Sequence, residues 1–181
     1  MPSEPPLTCG AALVLARTPI AFFCSQTSPG DIILKAQDWA NARGPNSAPV
    51  IGGFHTAVER DVLRILLRGR APVIIVLARA LAGWRTPSAL KAALDEGRAQ
   101  VVSPFPDTQR HTTAASADAR NRHILTLCQT LLFAHASSGG KTEALAREAA
   151  ARGLTLLTFA SPSNANLIEM GARVAPSGGE L

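Results

Sequence analysis

The sequence predicts an α/β fold, with a doubly wound, mostly parallel sheet and helices on both faces. Short apolar runs without charged residues, at positions 20–23, 72–78 and 131–134, are typical of strands that are buried on both sides. Each run is followed by a loop and then by a stretch with a helix start signal. Strands and helices that alternate in this way form parallel sheets with crossover helices.

Six strands are predicted along the chain. Their apolar cores are residues 20–23, 49–51, 72–78, 101–102, 131–134 and 155–159. Residues 11–15 are compatible with a strand or a short helix, and the sequence does not decide between them. We expect residues 1–10 to form a loose, proline-rich lead-in and residues 11–181 to form one Rossmann-like domain.

The helices are placed by their capping residues and glycines. The first is expected to begin with Ser28 as N-cap and Pro29 as first helical residue. Thr56 and Glu59 fit a capping box that opens the second helix. The other helices are predicted after residues 86–87, across residues 120–127, from Lys141 to Gly153, and after residues 161–164 with a stop at Gly171.

Composition and charge favour acidic partners. The chain has 181 residues and a formal net charge of +5, which suits phosphates or nucleic acid. Cys9, Cys24 and Cys128 are scattered and lack metal-site spacing, which predicts a reduced, cytoplasmic setting. We expect no signal peptide, no membrane span, no metal and no cofactor.

The main candidate for a ligand site lies between residues 119 and 153. A glycine-rich loop, residues 135–140, is predicted to join a buried strand to the helix that begins at Lys141. Small residues at such a position let the backbone approach a ligand, and the helix N-terminus favours an anion.

Arg120, Asn121 and Arg122 precede the same strand and add two fixed cations near its edge. The guanidinium fork suits phosphate better than an ammonium group does. Two arginines that are two positions apart cannot share one helix face, so one is expected to bind a ligand while the other pairs elsewhere. The stripe formed by Arg60, Arg64 and Arg68 is interpreted as a solvated face, with nucleic-acid binding as the alternative.

Residues 139–142, Gly-Gly-Lys-Thr, are similar to the end of a P-loop. The first glycine that a P-loop requires falls on His135, and no predicted strand ends in an acidic residue that would hold Mg²⁺. We therefore predict that the protein does not hydrolyse ATP.

Five segments, in order, resemble a known family. They are residues 20–28 (IAFFCSQTS), 51–59 (IGGFHTAVE), 119–125 (ARNRHIL), 137–143 (SSGGKTE) and 164–172 (NANLIEMGA). Together they resemble the Rossmann-like domain of the DNA-processing protein A family (DprA, also called Smf), in the SLOG superfamily. The resemblance covers residues 11–174 and implies a DprA-like fold.

Two loops depart from the family pattern. Gln26 stands where the family has an arginine, which removes a cation from the first loop. Phe54, His55 and Thr56 replace the family's Gly-Ile-Asp after the second strand. No N-terminal helical extension and no winged helix are recognised, so the chain is expected to be a short, stand-alone relative.

The resemblance implies binding of single-stranded DNA or of a nucleotide-like phosphate ligand, with a role in DNA uptake and recombination. It leaves a homodimer and a recombinase partner open. The loops that carry it are expected to meet at the carboxyl edge of the sheet. The predicted ligand-binding residues are Ser25, Gln26, Thr27, Gly52, Gly53, Arg120, Asn121, Arg122, Ser138, Gly139, Gly140, Lys141, Thr142 and Glu143.

Two alternative functions are compatible with the same residues. One is a nucleotide-processing hydrolase of the SLOG type, in which Glu143 would belong to the active site. Against this, a carboxylate in the first turn of a helix is favoured by the helix dipole alone. The other is a non-catalytic module that senses a nucleotide ligand. His55 and His135 follow strands and are further candidates for ligand contact.

Overall fold

The structure, a computed structural model, describes residues 7–10 and 17–176. Within these residues, eight strands form one sheet. They are β1 (Leu7–Gly10), β2 (Ile20–Cys24), β3 (Val50–Gly52), β4 (Val73–Val76), β5 (Ala99–Ser103), β6 (Thr130–His135), β7 (Thr155–Thr158) and β8 (Arg173–Val174). Their order is β1-β5-β4-β3-β2-β6-β7-β8, and β1 alone among them is antiparallel to its neighbour. The predicted mostly parallel α/β sheet is confirmed.

Helices cover both faces of the sheet. They are α1 (Gly30–Asn41), α2 (Ala57–Arg68), α3 (Ser88–Asp95), α4 (Ala114–Ile124), α5 (Lys141–Ala151) and α6 (Ala165–Glu169), the last preceded by a 3-10 turn at Pro162–Asn164. Alternate strand residues point to opposite faces, so Phe22 packs beneath α1 to α3 whereas Phe23 packs beneath α4 to α6. None of the described helices is long and apolar enough to cross a membrane.

The strand order places a topological switch point between β2 and β6. The chain runs outward from β2 through β3 and β4 to β5, and then returns to the centre and runs through β6 and β7 to β8 on the other side. The loops that follow β2 and β6 therefore diverge and leave a crevice at the carboxyl edge. Open α/β sheets bind their ligands in such a crevice.

The predicted lead-in is wrong for part of its length. Leu7–Gly10 was expected to be loose, but it forms an edge strand that pairs antiparallel with β5, from Leu7 opposite Ser103 to Gly10 opposite Gln100. Pairing satisfies backbone donors and acceptors of β5 that would otherwise be exposed at the sheet edge. Residues 1–6 of the predicted lead-in and the undecided segment 11–15 lie outside the described residues.

Helix starts agree with the sequence at α2 and differ at α1. Thr56 accepts a hydrogen bond from the Glu59 amide and the Glu59 side chain accepts one from the Thr56 amide, so the predicted capping box is confirmed. Ser28 does not cap α1, because Pro29 keeps an extended ψ of 153° and itself takes the N-cap position. The Ser28 hydroxyl instead donates to the Ser25 carbonyl, at 3.3 Å.

The end of α5 follows the sequence prediction. Gly153 has φ +74° and its amide donates to the Ala150 carbonyl, while the Leu154 amide donates to the Ala149 carbonyl. This is the Schellman arrangement, in which a left-handed residue after the helix satisfies its last carbonyls. Glycine adopts that conformation without a steric penalty.

We expect Gly153→Ala to lower the free energy of unfolding by about 1 kcal/mol, because alanine is strained at positive φ. Denaturant unfolding measures the change. Gly30→Ala is the matched control, since Gly30 is the first residue of α1 and has open space around it, so alanine there is neutral or stabilising. Equal destabilisation by both substitutions would contradict the explanation.

Candidate functional site

A cavity of about 350 Å³ lies at the carboxyl ends of β2 and β3, between α4 and α5. Half of the predicted ligand-binding set lines it: Gln26, Gly53, Arg120, Asn121, Arg122, Lys141 and Thr142. The other members form the surrounding loops and do not line it: Ser25, Thr27, Gly52, Ser138, Gly139, Gly140 and Glu143. The loops meet directly, because the Ser25 hydroxyl accepts a hydrogen bond from the Ser137 amide at 2.9 Å.

Arg120 is buried in the cavity wall, where its side chain is hydrogen-bonded to the surrounding protein. Its Nη1 donates to the Val76 carbonyl at the end of β4, at 3.1 Å, and its Nε donates to Asn121 Oδ1, at 2.7 Å. Only 3% of the residue is exposed. Burial lowers the pKa of Arg120, and the negative charge of Glu59 opposes that shift. Most of the guanidinium is thus engaged with the protein itself.

Gly53 is required by the position of the Arg120 side chain. A Cβ atom built on Gly53 would lie 1.6 Å from Arg120 Nη1 and 1.9 Å from its Cζ. The guanidinium therefore lies directly against the backbone of the loop after β3. Any larger residue at position 53 would clash with the guanidinium, so the loop requires glycine there for steric reasons and not because of its backbone conformation.

Glu59 is the buried counter-charge. Its Oε1 accepts a hydrogen bond from the Cys24 amide at the end of β2, at 3.0 Å, and its Oε2 accepts from the His55 and Thr56 amides, at 2.7 and 3.2 Å. A carboxylate that accepts three backbone hydrogen bonds compensates well for its burial. Glu59 thus joins β2 to the loop after β3 as well as capping α2.

The loop after β3 is strained at Phe54, which has φ +50° although it is not glycine. Its neighbour His55 lies with Nε2 at 3.4 Å from Arg120 Nη2. Arginine can only donate, so the His55 Nε2 atom accepts and the ring proton lies on Nδ1. Burial, followed by the positive charge of Arg120, lowers the pKa of His55.

The glycine-rich loop before α5 is held by two hydrogen bonds from its glycine amides. The Gly140 amide donates to the Ser137 carbonyl at 2.9 Å, and the Gly139 amide donates to Glu143 Oε2 at 3.0 Å, with Gly139 at φ +71°. Gly140 is the N-cap of α5 and supplies no side-chain hydrogen bond to the helix. The first-turn amides of α5 therefore remain available at the cavity rim.

Glu143 points away from the cavity. Its Oε1 accepts from Asn166 Nδ2 at 2.7 Å, and its Oε2 accepts from Gly139 and lies 3.4 Å from Arg147 Nη2. The hydrogen bond from Asn166, followed by that from Gly139, lowers the pKa of Glu143. The carboxylate anchors the glycine-rich loop to α6.

The exposed cations at the rim are paired with acids that sequence reasoning missed. Arg122 Nε lies 3.0 Å from Glu148 Oε2, and Lys141 Nζ lies 2.9 Å from Asp118 Oδ2. Asp118 is one turn before Arg122, and that spacing would have suggested an ion pair with Arg122. The structure pairs it with Lys141, 23 residues away.

Cys24 lies in the cavity wall, and sequence reasoning did not assign it to the site. Burial raises the pKa of its thiol to about 11. A thiol with that pKa is protonated at neutral pH and is a poor nucleophile. No group of three or more potential metal ligands occurs among residues 7–10 and 17–176.

Comparison with known proteins identifies the fold. No family model matches the chain, and no curated protein is significantly similar to it. The chain superimposes on DprA from Streptococcus pneumoniae with a TM-score of 0.75 and 18% identity, covering 95% of this chain and 62% of that one. DprA from Helicobacter pylori, a structure described as showing its mode of binding single-stranded DNA, gives a TM-score of 0.78, 16% identity, and coverage of 96% and 83%.

A molybdenum cofactor binding protein from Rippkaea orientalis is a further neighbour, with a TM-score of 0.59, 12% identity, and coverage of 88% and 90%. The chain spans about 62% of the length of the S. pneumoniae protein. At these identities the comparisons show the fold. The predicted Rossmann-like fold, similar to that of DprA proteins, is confirmed.

The contact between Gly53 and Arg120 leads to the first prediction for the site. Gly53→Ala should lower the free energy of unfolding by about 2 kcal/mol or more, because the buried guanidinium must move and lose its hydrogen bonds. A double-mutant cycle with Arg120→Ala measures the coupling. We expect Gly53→Ala to cost much less in the Arg120→Ala background, where the clash is absent. Additive effects would show that the two residues do not interact.

A second prediction concerns pH. The folded-state pKa of Glu143 is lowered below the ordinary glutamate value of 4.5, so its carboxylate stabilises the fold above that pH. This contribution is lost as pH falls through the lowered, folded-state pKa. Wild type should therefore exceed Glu143→Gln in unfolding free energy at pH 7, and the difference should shrink below pH 4.5. A difference that stays constant with pH would show that the charge is not responsible.

Proposed function

We propose that the protein binds single-stranded DNA, or a nucleotide-like phosphate ligand, in the cavity at the carboxyl edge of the sheet. The observation that carries the proposal is the N-terminus of α5. It lacks a side-chain cap and lies at the rim of the cavity together with Lys141 and Thr142. Backbone amides and the positive end of the helix dipole at such a position bind phosphate.

The rim cations are available for exchange onto a phosphate. Arg122 and Lys141 have side chains that are 59% and 74% exposed, and each is held by one acidic partner. An exposed ion pair of this kind contributes about 0–1 kcal/mol, whereas a hydrogen bond to a charged group contributes about 1.5–3 kcal/mol. A phosphate that also accepts hydrogen bonds from the α5 amides would therefore displace Glu148 from Arg122 or Asp118 from Lys141.

The size of the cavity favours a single strand over a duplex. A space of about 350 Å³ suits one nucleotide, and a single strand can bring one nucleotide into it. A duplex would first have to flip a nucleotide out of the base stack, at a cost of a few kcal/mol. The likeness in fold to DprA proteins, one of them described as binding single-stranded DNA, supports the same choice.

The geometry supports binding more than hydrolysis. Glu143, the residue on which the hydrolase alternative depends, does not line the cavity, and both of its carboxylate oxygens are occupied by the protein. Cys24 is protonated and Glu59 is committed to three backbone amides. We assign no catalytic step to these residues.

Several expectations remain predictions that accompany this proposal. They are a role in DNA uptake and recombination, a cytoplasmic location, a homodimer and a recombinase partner. The small-ligand alternative, a module that senses a nucleotide, uses the same cavity and the same amides. It is therefore tested by the same variants.

The DNA-binding proposal is tested by titrating a labelled oligothymidine at several salt concentrations. Each phosphate neutralised on a single strand contributes about −0.7 to the slope of log affinity against log salt. We expect Lys141→Ala and Arg122→Ala each to weaken binding for all sequences alike and to flatten the slope by about 0.7. Arg120 is unsuitable for this test, because its removal would disturb the cavity wall.

Arg64→Ala is the matched control. Arg64 is also an exposed arginine paired with one acid, Asp61, but it lies on α2 outside the cavity, so its removal should leave the slope unchanged. If wild type fails to bind oligothymidine at low salt, the DNA proposal is wrong. Binding of a nucleoside monophosphate that is lost in the same variants would then establish the small-ligand alternative. Failure of both ligands would refute the site.

A further inference from the structure

A second cavity, of about 300 Å³, lies on the opposite edge of the sheet. It is lined by residues that precede β2, β3, β4 and β5, and the amino ends of parallel strands share one edge. Three arginines line it, Arg17, Arg70 and Arg98, with Glu96 as the one acidic residue in the lining. Nothing in the proposed function uses these residues.

Two of the three guanidinium groups are fixed in place by backbone carbonyls. Arg17 Nη2 donates to the carbonyls of Asn46 and Ser47, both at 2.8 Å. Arg98 Nη2 donates to the Leu67 carbonyl at 2.9 Å, and its Nε donates to Glu96 Oε2. Each guanidinium has five N–H donors, so both retain donors after these contacts. The cations are therefore positioned before any ligand arrives.

The third arginine, Arg70, occupies a position where glycine is the usual residue. It follows α2 with φ +66°, and the Ala71 amide beyond it closes the helix end by donating to the Leu66 carbonyl. A side chain in this conformation is strained, and such strain often marks a functional position. Arg70 makes no hydrogen bond or ion pair within the part of the chain that the structure describes.

The charge balance of the cavity is positive. Three guanidinium groups and one carboxylate line it. The hydrogen bond from Arg98, and more weakly the charges of Arg98 and Arg70, lower the pKa of Glu96. The C-termini of α2 and α3 lie nearby and each contributes about half a negative charge. Their combined effect does not cancel the remaining arginines.

We infer that this cavity is a binding site for a phosphate-class oxyanion, separate from the nucleotide cavity. Arg17 and Arg98 provide a fixed pair of guanidinium groups, and Arg70 provides the third, which closes on the anion. Glu96 is the competitor that the anion displaces from Arg98. The anion is either free phosphate or a phosphodiester of a nucleic acid strand, because both present the same oxygens to arginine.

The test follows backbone amide signals by NMR during titration with inorganic phosphate at low ionic strength. We expect the amides of Gly97 and Arg98 to shift with their own saturation curve, distinct from that of Lys141 and Thr142. Arg70→Gly should raise the dissociation constant obtained from the Gly97 and Arg98 shifts by roughly ten-fold or more, the loss expected for a charged hydrogen bond. The same substitution should leave the dissociation constant obtained from the Lys141 and Thr142 shifts unchanged.

Arg70→Gly also separates function from folding. Glycine relieves the strain at positive φ, so we expect this variant to unfold at a higher temperature than wild type while it loses the anion. Glu96→Gln should change affinity in the opposite direction and strengthen phosphate binding, because it removes the competing carboxylate. Arg64→Gln is the control that leaves both curves unchanged.

Two results would overturn the inference. One is that phosphate leaves the Gly97 and Arg98 amides unshifted in wild type. The other is that Arg70→Gly binds phosphate at these amides as tightly as wild type. Titration with oligothymidine then identifies the source of the anion: shifts at Gly97 indicate a phosphodiester, and shifts with inorganic phosphate alone indicate free phosphate.

Discussion

The burial of the Arg120 guanidinium against Gly53 is the constraint on which the carboxyl-edge cavity depends. An arginine that is 3% exposed is costly unless its charge and its donors are matched. The Val76 carbonyl, the Asn121 amide oxygen and the nearby charge of Glu59 provide that match. One side chain of α4 thereby fixes the end of β4 and the loop after β3, which form one wall of the cavity.

Because Arg120 and Glu59 are both committed to the protein, the charge that a ligand meets comes from other groups. Arg122 and Lys141 are exposed and each is already paired with an acid. The cavity is thus close to neutral overall, in contrast to the net charge of +5 of the whole chain. Oriented amides at the start of α5, rather than excess positive charge, are its main means of attracting phosphate.

The sequence could predict those features, such as helix caps and helix ends, that depend on residues close together along the chain. The capping box from Thr56 to Glu59 spans four residues, and the two hydrogen bonds that end α5 at Gly153 join residues three and five positions apart, so local pattern was sufficient. The burial of Arg120 depends on Val76, 44 residues away. Glu143 and Thr142 differ by one position, which is about 100° of helix rotation, and only packing against the sheet decides which of them faces the cavity. The prediction of a loose lead-in was wrong for Leu7–Gly10 for the same reason, because β1 forms only by pairing with β5, which is distant along the chain.

The two edges of the sheet impose opposite electrostatic conditions on the chain. At the carboxyl edge the helices begin, so their dipoles favour an anion even where side-chain charges are balanced by acids. At the amino edge α2 and α3 end, and their terminal carbonyls attract arginines, as the hydrogen bond from Arg98 to the Leu67 carbonyl illustrates. Bonding to backbone carbonyls thus explains the positions of two of the arginines there: Arg98 at the end of α2, and Arg17 on the loop carbonyls of Asn46 and Ser47. It does not explain Arg70, whose strained backbone places a guanidinium beside them without satisfying any carbonyl of the described residues. An anion at that edge would be bound by side chains against the helix dipoles, so its affinity would depend on this third cation.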